Sequence, residues 1–506
     1  MELLSYLVCI SLAIIFFFSL SHFTKKNKVL WNVPLVGMLP DLILSFHNFH
    51  DKIFEVLEEK KGTFLLKSAW IGQMNMLFTS DPANVHYIMS TNFSNYVKGP
   101  EWRKRFDIFG DKGIFNADLD EWKNQRKIVR AFLSHQELHQ HVTKIIPNII
   151  DKGLIPFLEL VSEQGSVVNL QDLFTRYAFD FASSITTGSN PNSLMYNGLE
   201  ENRFVKALDV ACETIFVRHI IPEIIWKMQR WIGIGKEREF KESWGIIDRF
   251  CAKHISIKRD QLSNSTTTNE DQEGFNALTY LTGHEICGPT PPPNVLRDNI
   301  TSLIFAAEDT TSTALSWFFW LLSKNPFSEI KIREELRKHF PQKEVKIWQP
   351  CNLDQLNKLV YLHAAICEAM RLFPPVPYES RTPFQPDTLP SGHQVDQNTN
   401  TVICAYAMGR MASIWGEDCD EFKPERWITK DGGIKHEPSH KFFAFIAGPR
   451  ICPGKEIGFT LMKAIITTII YNYDVQVVES HPVIPNLSIV LRMKHGLMAR
   501  IKNKWA

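Results

Sequence analysis

The chain reads as a mainly α-helical protein with a smaller β-rich part (α+β), one large domain carried behind an N-terminal membrane anchor. Three observations predict this. Helical periodicity dominates from about Gln136 to Asp260, for example over Ile145 to Phe157 and Trp244 to Ile257. One long apolar helix is predicted from about Asn294 to Lys324, stopped by Asn325-Pro326, because proline disfavours helix in the residue before it. Short β-like runs, Thr63 to Lys67 and Asn75 to Thr79, mix with helices in the N-terminal third. A length of 506 residues would suggest about three domains at ~150 residues each. No break in composition divides the chain that way and no internal repeat is evident, so residues 41–506 are taken as one domain.

The first segment differs from the rest. From Leu3 to Leu20 the small polar residues are Ser5, Ser11 and Ser19, and Tyr6 is the one aromatic hydroxyl. That stretch is near the lower limit for a membrane-spanning helix. Lys25, Lys26 and Lys28 follow it, with Glu2 the one charge before it. The positive-inside rule places those lysines and the downstream domain in the cytosol. A cleaved signal fits less well, since no basic region precedes the apolar run. The expectation is a single-pass anchor over residues 1–23 in the endoplasmic reticulum membrane. Residues 24–40 form a basic linker with a Pro/Gly-containing lead-in, Trp31 to Pro40. Ser263 to Gly274 reads as a polar surface loop, and Gly288 to Pro293 as a further break. The sequons at Asn92, Asn264 and Asn299 should carry no sugar in a cytosol-facing domain.

Net charge is +1, so the overall balance gives no support to a nucleic-acid partner. The nine cysteines are odd in number and scattered. That is no disulfide framework, and it fits a reducing compartment.

The most informative string is Phe445-Ile446-Ala447-Gly448-Pro449-Arg450-Ile451-Cys452-Pro453-Gly454. Pro453 is expected at the first position of a helix, with Cys452 at or beside its N-cap. There the free N–H groups and helix dipole would favour a thiolate. Gly448 and Gly454 would admit something flat and bulky, and Arg450 would meet an anionic group on it. A thiolate, a close-approach loop and a cation suit an iron porphyrin with propionates. A buried free cysteine would explain neither the glycines nor the arginine.

This string resembles the haem-binding signature of the cytochrome P-450 family, Phe-x-x-Gly-x-Arg-x-Cys-x-Gly, at every fixed position. Three further motifs follow the family in order along the chain. Ala306-Ala307-Glu308-Asp309-Thr310-Thr311 resembles its oxygen-activation segment, with Ala307 in place of the usual glycine. By resemblance Thr310 would supply the distal alcohol and Asp309 would help feed protons. The plainer alternative is a core helix with Glu308 and Asp309 facing solvent. Glu368-Ala369-Met370-Arg371, with Pro424-Glu425-Arg426-Trp427 farther on, resembles the Glu-x-x-Arg and Pro-Glu-Arg elements. Glu368, Arg371 and Arg426 would then lock the core and support the haem loop. Trp122-Lys123-Asn124-Gln125-Arg126 resembles the Trp-x-x-x-Arg helix, whose i,i+4 pair could reach a propionate. Arg381 is a further propionate candidate by position.

His135 and His139 have metal-ligand spacing on a helix, but lack the glutamate that a zinc protease motif places directly after the first histidine. They are expected to be solvated. Lys123, Lys127, Lys441, Lys455 and Lys463 are expected on one basic face near the thiolate loop.

The resemblance implies a cytochrome P-450 fold, haem b held through Cys452, and an oxidoreductase that inserts one atom of dioxygen into an apolar small molecule. It also implies docking of an acidic NADPH–cytochrome P-450 reductase on the basic face. Stretches such as Asn95-Tyr96-Val97-Lys98-Gly99 and Arg492-Met493-Lys494-His495-Gly496-Leu497 resemble the plant branch that hydroxylates fatty acids and long-chain alkanes, most closely its mid-chain alkane hydroxylases. A lipid substrate would suit a membrane-anchored enzyme. The branch also includes enzymes that couple phenols in alkaloid synthesis. A reductase-independent haem isomerase or dehydratase, or a haem electron carrier, fits the intact Asp309-Thr310-Thr311 string less well.

Overall fold

A computed structural model describes residues 45–66, 75–195, 201–263, 274–283, 291–340, 353–397 and 399–504. The expected anchor (1–23) and linker (24–40) lie outside these residues, as do Asn264, most of the expected loop over 263–274 and half of the expected break over 288–293. Among the described residues no helix is long and apolar enough to cross a membrane.

The described chain is mostly helical. The helices that build the globule are α1 (Phe49–Glu59), α2 (Gly99–Arg105), α3 (Leu119–Leu133), α4 (Gln136–Ile149), α5 (Ile155–Gln164) and α6 (Leu170–Thr187). They continue with α7 (Glu201–Ile220), α8 (Glu223–Ile232), α9 (Gly235–Ser263), α10 (Pro293–Lys324), α11 (Pro326–His339), α12 (Val360–Leu372) and α13 (Lys455–Asn472). Their ends follow local chemistry. Asn169 caps α6 by accepting from the Gln171 and Asp172 amides, and Gly188 closes the helix in a left-handed conformation. Helix α10 starts on prolines and stops at Asn325 before Pro326, one residue from the expected start.

Strands β1 (Thr63–Leu66), β2 (Met76–Thr79), β3 (Tyr96–Val97), β4 (Val167–Asn169), β5 (Tyr378–Pro383), β6 (Asp387–Thr388), β7 (Gln394–Val395), β8 (Asn400–Cys404), β9 (Tyr473–Val477) and β10 (Met498–Asn503) form three sheets. The largest has the order β1-β2-β8-β5-β3, with β2 and β8 parallel and its other neighbours antiparallel. A second, β4-β10-β9, ties the end of the described chain to the start of α6. The main core is built by α6, α10, α12 and α13, through residues such as Phe174, Leu315, Ile366 and Ile465. Phe174 stacks on Phe319 with ring centroids 5.2 Å apart. This block fixes α10 on one side of the Cys452 loop and α13 behind it.

Asn299 is buried within α10, its Nδ2 donating to the Val295 carbonyl at 2.9 Å. A sugar has no room there. His135 is not simply solvated: it accepts from the Glu137 amide at the start of α4 and stacks on Phe275 at 4.4 Å. His139 is exposed. No group of three or more metal-ligating side chains gathers among the described residues.

Candidate active site

Cys452 lies in a loop immediately before α13. Its amide donates to the Phe445 carbonyl at 2.8 Å, closing the loop under the sulfur. The expected cap is corrected here. Helix α13 begins at Lys455 with Gly454 as N-cap, so Cys452 stands two residues before the cap and Pro453 outside the helix. The turn at Pro453-Gly454 still brings the Gly454 and Lys455 amides to the sulfur. Burial pushes the thiol up, while those amides and the Arg126 and Lys455 charges favour the thiolate.

Gly448 has φ +65°, and a Cβ there would stand 1.7 Å from the Met89 carbonyl oxygen. The loop is thus wedged against the segment after β2, and only glycine fits. Gly454 differs: an added Cβ would meet nothing nearer than Cys452 Sγ, at 4.0 Å. The protein does not itself require glycine there. Space is kept over the sulfur.

A large cavity opens above that sulfur, lined by Trp122, Arg126, Arg381, Phe445, Arg450 and Gly454 at its base. Four cations line it (Lys98, Arg126, Arg381 and Arg450) against one carboxylate, Glu379. Lys98 Nζ donates to Glu379 Oε1 at 2.6 Å and lies 3.3 Å over the Trp102 ring. Arg381 donates to Glu379 and to the Ser380 carbonyl. Arg450 Nη2 donates to Ala117 O (3.0 Å) and to Asp118 Oδ1 (2.8 Å), with its guanidinium 4.6 Å from the Trp122 ring centroid. Arg126 donates to the Ile451 carbonyl. Burial and the neighbouring Arg381 push Arg450 down to about 9, and burial holds Lys98 well below its usual range.

Glu379 answers Lys98 and Arg381, and Asp118 answers Arg450 and, at 3.7 Å, Arg103, so two carboxylates face more cations than they can neutralise. Buried nitrogens without a hydrogen-bond partner remain on these same side chains: Arg126 Nε, Arg450 Nε, and Arg381 Nε and Nη2. Orphaned guanidinium nitrogens are costly unless an anion meets them. A porphyrin carrying two propionates would bring negative charge to these nitrogens, and Cys452 would supply the sulfur that holds its iron. The residues present fit haem.

Glu368, Arg371 and Arg426 come together behind the loop. Arg371 Nε and Nη2 each donate to Glu368 at 2.8 Å, and Arg426 Nε donates at 3.4 Å. The Trp427 indole (2.8 Å) and the Lys423 amide (3.0 Å) donate to the same carboxylate. Arg371 also donates to the carbonyls of Gly409, Cys419 and Glu421. None of the three lines the cavity.

On the distal side α10 presents Ala306, Ala307, Thr310 and Ala314 to the cavity, spaced three or four apart on one helical face. Thr310 Oγ1 donates to the Ala306 carbonyl at 2.7 Å. Glu308 and Asp309 are on the other face, but not in solvent: they are 0% and 1% exposed. Arg492 donates to Asp309 Oδ1 at 2.5 Å and to Glu308 Oε1 at 2.8 Å, and pairs with Asp209 at 2.6 Å. Cys212 Sγ adds a contact to Asp309 Oδ2 at 3.7 Å. Asp309 is therefore not on the cavity wall.

Lys463 leaves the proposed basic face. It is 3% exposed, with Nζ donating to the Leu356 carbonyl at 3.0 Å. Lys123 and Lys127 are exposed and Lys441 and Lys455 half-buried. Sequence reasoning missed Lys98, Glu379, Asp118, Arg492 and His219 as site residues. Lys98 and Arg492 stood in the branch-like strings, and Glu379 shares a strand face with Arg381. Nothing local marked His219.

Residues 29–499 match the family model described as Cytochrome P450. Alkane hydroxylase MAH1 of Arabidopsis thaliana is 42% identical over 494 residues, covering 96% of this chain and 96% of its own length. Noroxomaritidine synthase of Narcissus aff. pseudonarcissus MK-2014 is 38% identical over 505 residues, with 98% and 96% covered. Cytochrome P450 86B1 of Arabidopsis thaliana is 35% identical over 505 residues, with 97% and 89% covered.

Proposed function

The chain belongs to the cytochrome P450 family and is a haem-thiolate monooxygenase, and from that premise we propose that it hydroxylates an unactivated C–H bond of a long-chain alkane or fatty acid. The observation that carries this reading is the cavity wall. Beyond the haem cradle it is built from side chains such as Ile114, Phe115, Phe181, Phe216, Ile220 and Val490. Such a wall excludes water and holds a hydrocarbon chain without demanding polar groups from it. The likeness to alkane hydroxylase MAH1 and to cytochrome P450 86B1 supports it.

Haem, when bound, supplies activation of dioxygen, with one atom entering the substrate and the other leaving as water. Cys452 would ligate its iron, and Arg126, Arg381, Arg450 and Lys98 would hold its propionates. Trp122 and Phe445 would pack against it, with Gly454 leaving space over the sulfur and Gly448 letting the loop close on Met89. Thr310 Oγ1 spends its proton on Ala306 O and keeps acceptor capacity for one incoming donor. Asp309 would feed protons only after release from Arg492. Glu368, Arg371 and Arg426 would act by fixing the polypeptide behind the Cys452 loop.

Electrons would come from NADPH–cytochrome P-450 reductase docked on Lys123, Lys127, Lys441 and Lys455. Residues 1–23 would anchor the protein in the endoplasmic reticulum membrane with the catalytic domain in the cytosol. A second reading, oxidation of an aromatic specialised metabolite such as phenol coupling in alkaloid synthesis, is favoured by Trp102, Phe106 and Phe305 on the cavity wall and by the likeness to noroxomaritidine synthase. Mass spectrometry of products separates the two. Enzyme and reductase would be offered alkanes, fatty acids and a phenolic alkaloid. Hydroxylated chains are expected; turnover of the phenol alone would overturn the lipid reading.

A further inference from the structure

The polar groups on the cavity wall can be assigned one by one. Lys98, Arg126, Arg381 and Arg450 belong to the propionate cradle, and Glu379 is spent on Lys98 and Arg381. Ser380 is bonded to Asn400, Thr310 to the Ala306 carbonyl. Tyr378 is bonded to His50, and Ser302 and Thr311 are buried in α10, with Ser302 Oγ left without a hydrogen-bond partner. His219, half-buried in the last turn of α7, also lines the wall and has no role in the cradle.

Its chemistry is fixed by its surroundings. Nδ1 lies 2.8 Å from the Ile215 carbonyl, one helical turn back. A carbonyl oxygen only accepts, so Nδ1 carries the hydrogen and Nε2 of the neutral ring carries a lone pair. Trp102 and Phe106 approach the ring at 6.4 and 5.7 Å, both edge to face. Burial, with help from the Arg105, Lys98 and Arg218 charges, pushes the imidazole down to about 3. The ring is thus a neutral hydrogen-bond acceptor over the working pH range, and no partner for Nε2 stands among the described residues.

We propose that His219 is a specificity-determining residue, whose Nε2 accepts the hydroxyl hydrogen of an apolar chain that carries an alcohol. An acceptor in an apolar wall selects for a donor, because a ligand without one leaves the lone pair unpaired. An unsubstituted alkane offers no donor. An ionised fatty acid offers none either. The preferred ligand class is therefore a long-chain alcohol. This inference rests on the reading above that the cavity holds a long apolar chain, and shifts the preferred ligand to a chain that already carries one hydroxyl.

The test is ligand titration of the ferric holoenzyme, followed through its Soret band. The probes are a long-chain alcohol, its methyl ether, the alkane of equal carbon number and the matching carboxylic acid. The wild type is expected to bind the alcohol about five- to tenfold tighter than the alkane or the ether, the scale of one hydrogen bond. His219→Leu should erase that preference, so that alcohol, ether and alkane bind equally. His219→Gln, which keeps an acceptor oxygen, should restore most of it. Equal binding of alcohol and ether by the wild type overturns the inference, and that comparison needs no variant to fold. So does a preference that survives in His219→Leu. If no apolar chain binds, the lipid reading falls and takes this assignment with it.

Discussion

Replacing Glu368 with alanine should remove most of the stability of the haem-binding domain. The carboxylate receives five hydrogen bonds, from Arg371 Nε and Nη2, Arg426 Nε, the Trp427 indole and the Lys423 amide. Arg371 is 2% exposed and stays pinned by three backbone carbonyls after the change. Its charge therefore cannot reach water. Breaking a buried pair from one side costs roughly 3–5 kcal/mol, and each donor left bare on Trp427 and Lys423 adds about 1 kcal/mol. The sum rivals the whole stability of an ordinary domain, about 5–15 kcal/mol. Arg426 keeps the Trp415 and Asp418 carbonyls, so its share is small. The assay is thermal unfolding together with the Soret band of the reduced, carbon-monoxide-bound protein. Glu368→Ala should yield little protein with that band. Glu425→Ala, beside Arg426 but at an exposed Lys331 pair, should shift stability by no more than about 1 kcal/mol. A Glu368→Ala protein that melts within a few degrees of wild type with full haem would refute the reasoning.

Three other outcomes are expected. Gly448→Ala should fail to retain haem, because its methyl group would collide with the Met89 carbonyl at a positive φ; normal haem content by absorbance would contradict this. Arg381→Leu should weaken haem retention roughly ten- to hundredfold, the worth of a charge-assisted hydrogen bond, measured as haem transfer to an apo-globin acceptor. Stability should fall on acidification from pH 6.5 towards about 4. Burial holds His50 down at about 4, against 6.5 when unfolded, so the unfolded chain binds the extra proton in that window. The contribution is fully present above pH 6.5 and lost below it, up to roughly 3 kcal/mol. Melting temperature against pH for wild type and His50→Phe should show a shallower slope in the variant.

What could be read in advance was whatever chemistry lies close along the chain. Helix α10 was bounded to within a residue because proline marks both its ends. The Glu368–Arg371 pair was visible because three residues span one helical turn. Strands β1 and β2 were legible, but the parallel pairing of Met76 with Asn400 was not, since nothing near either strand specifies so distant a neighbour.

The errors share that cause. Glu308 and Asp309 were weighed as solvent-facing because water is the default partner of an acid on a helix; the fold brings Arg492 from 184 and 183 residues away. Lys463 reads as a surface lysine, but α13 is buried all round from Leu461 to Ile470, so the ammonium donates to a carbonyl 107 residues off. The cradle at the cavity base is likewise assembled from distant segments: Lys98 meets Glu379 across 281 residues, and Arg450 meets Asp118 across 332. The motif around Cys452 declared an anion-bearing partner through a single arginine. Only the assembled cluster shows the excess of cations over carboxylates, because that excess emerges from the sum over segments rather than from any one of them.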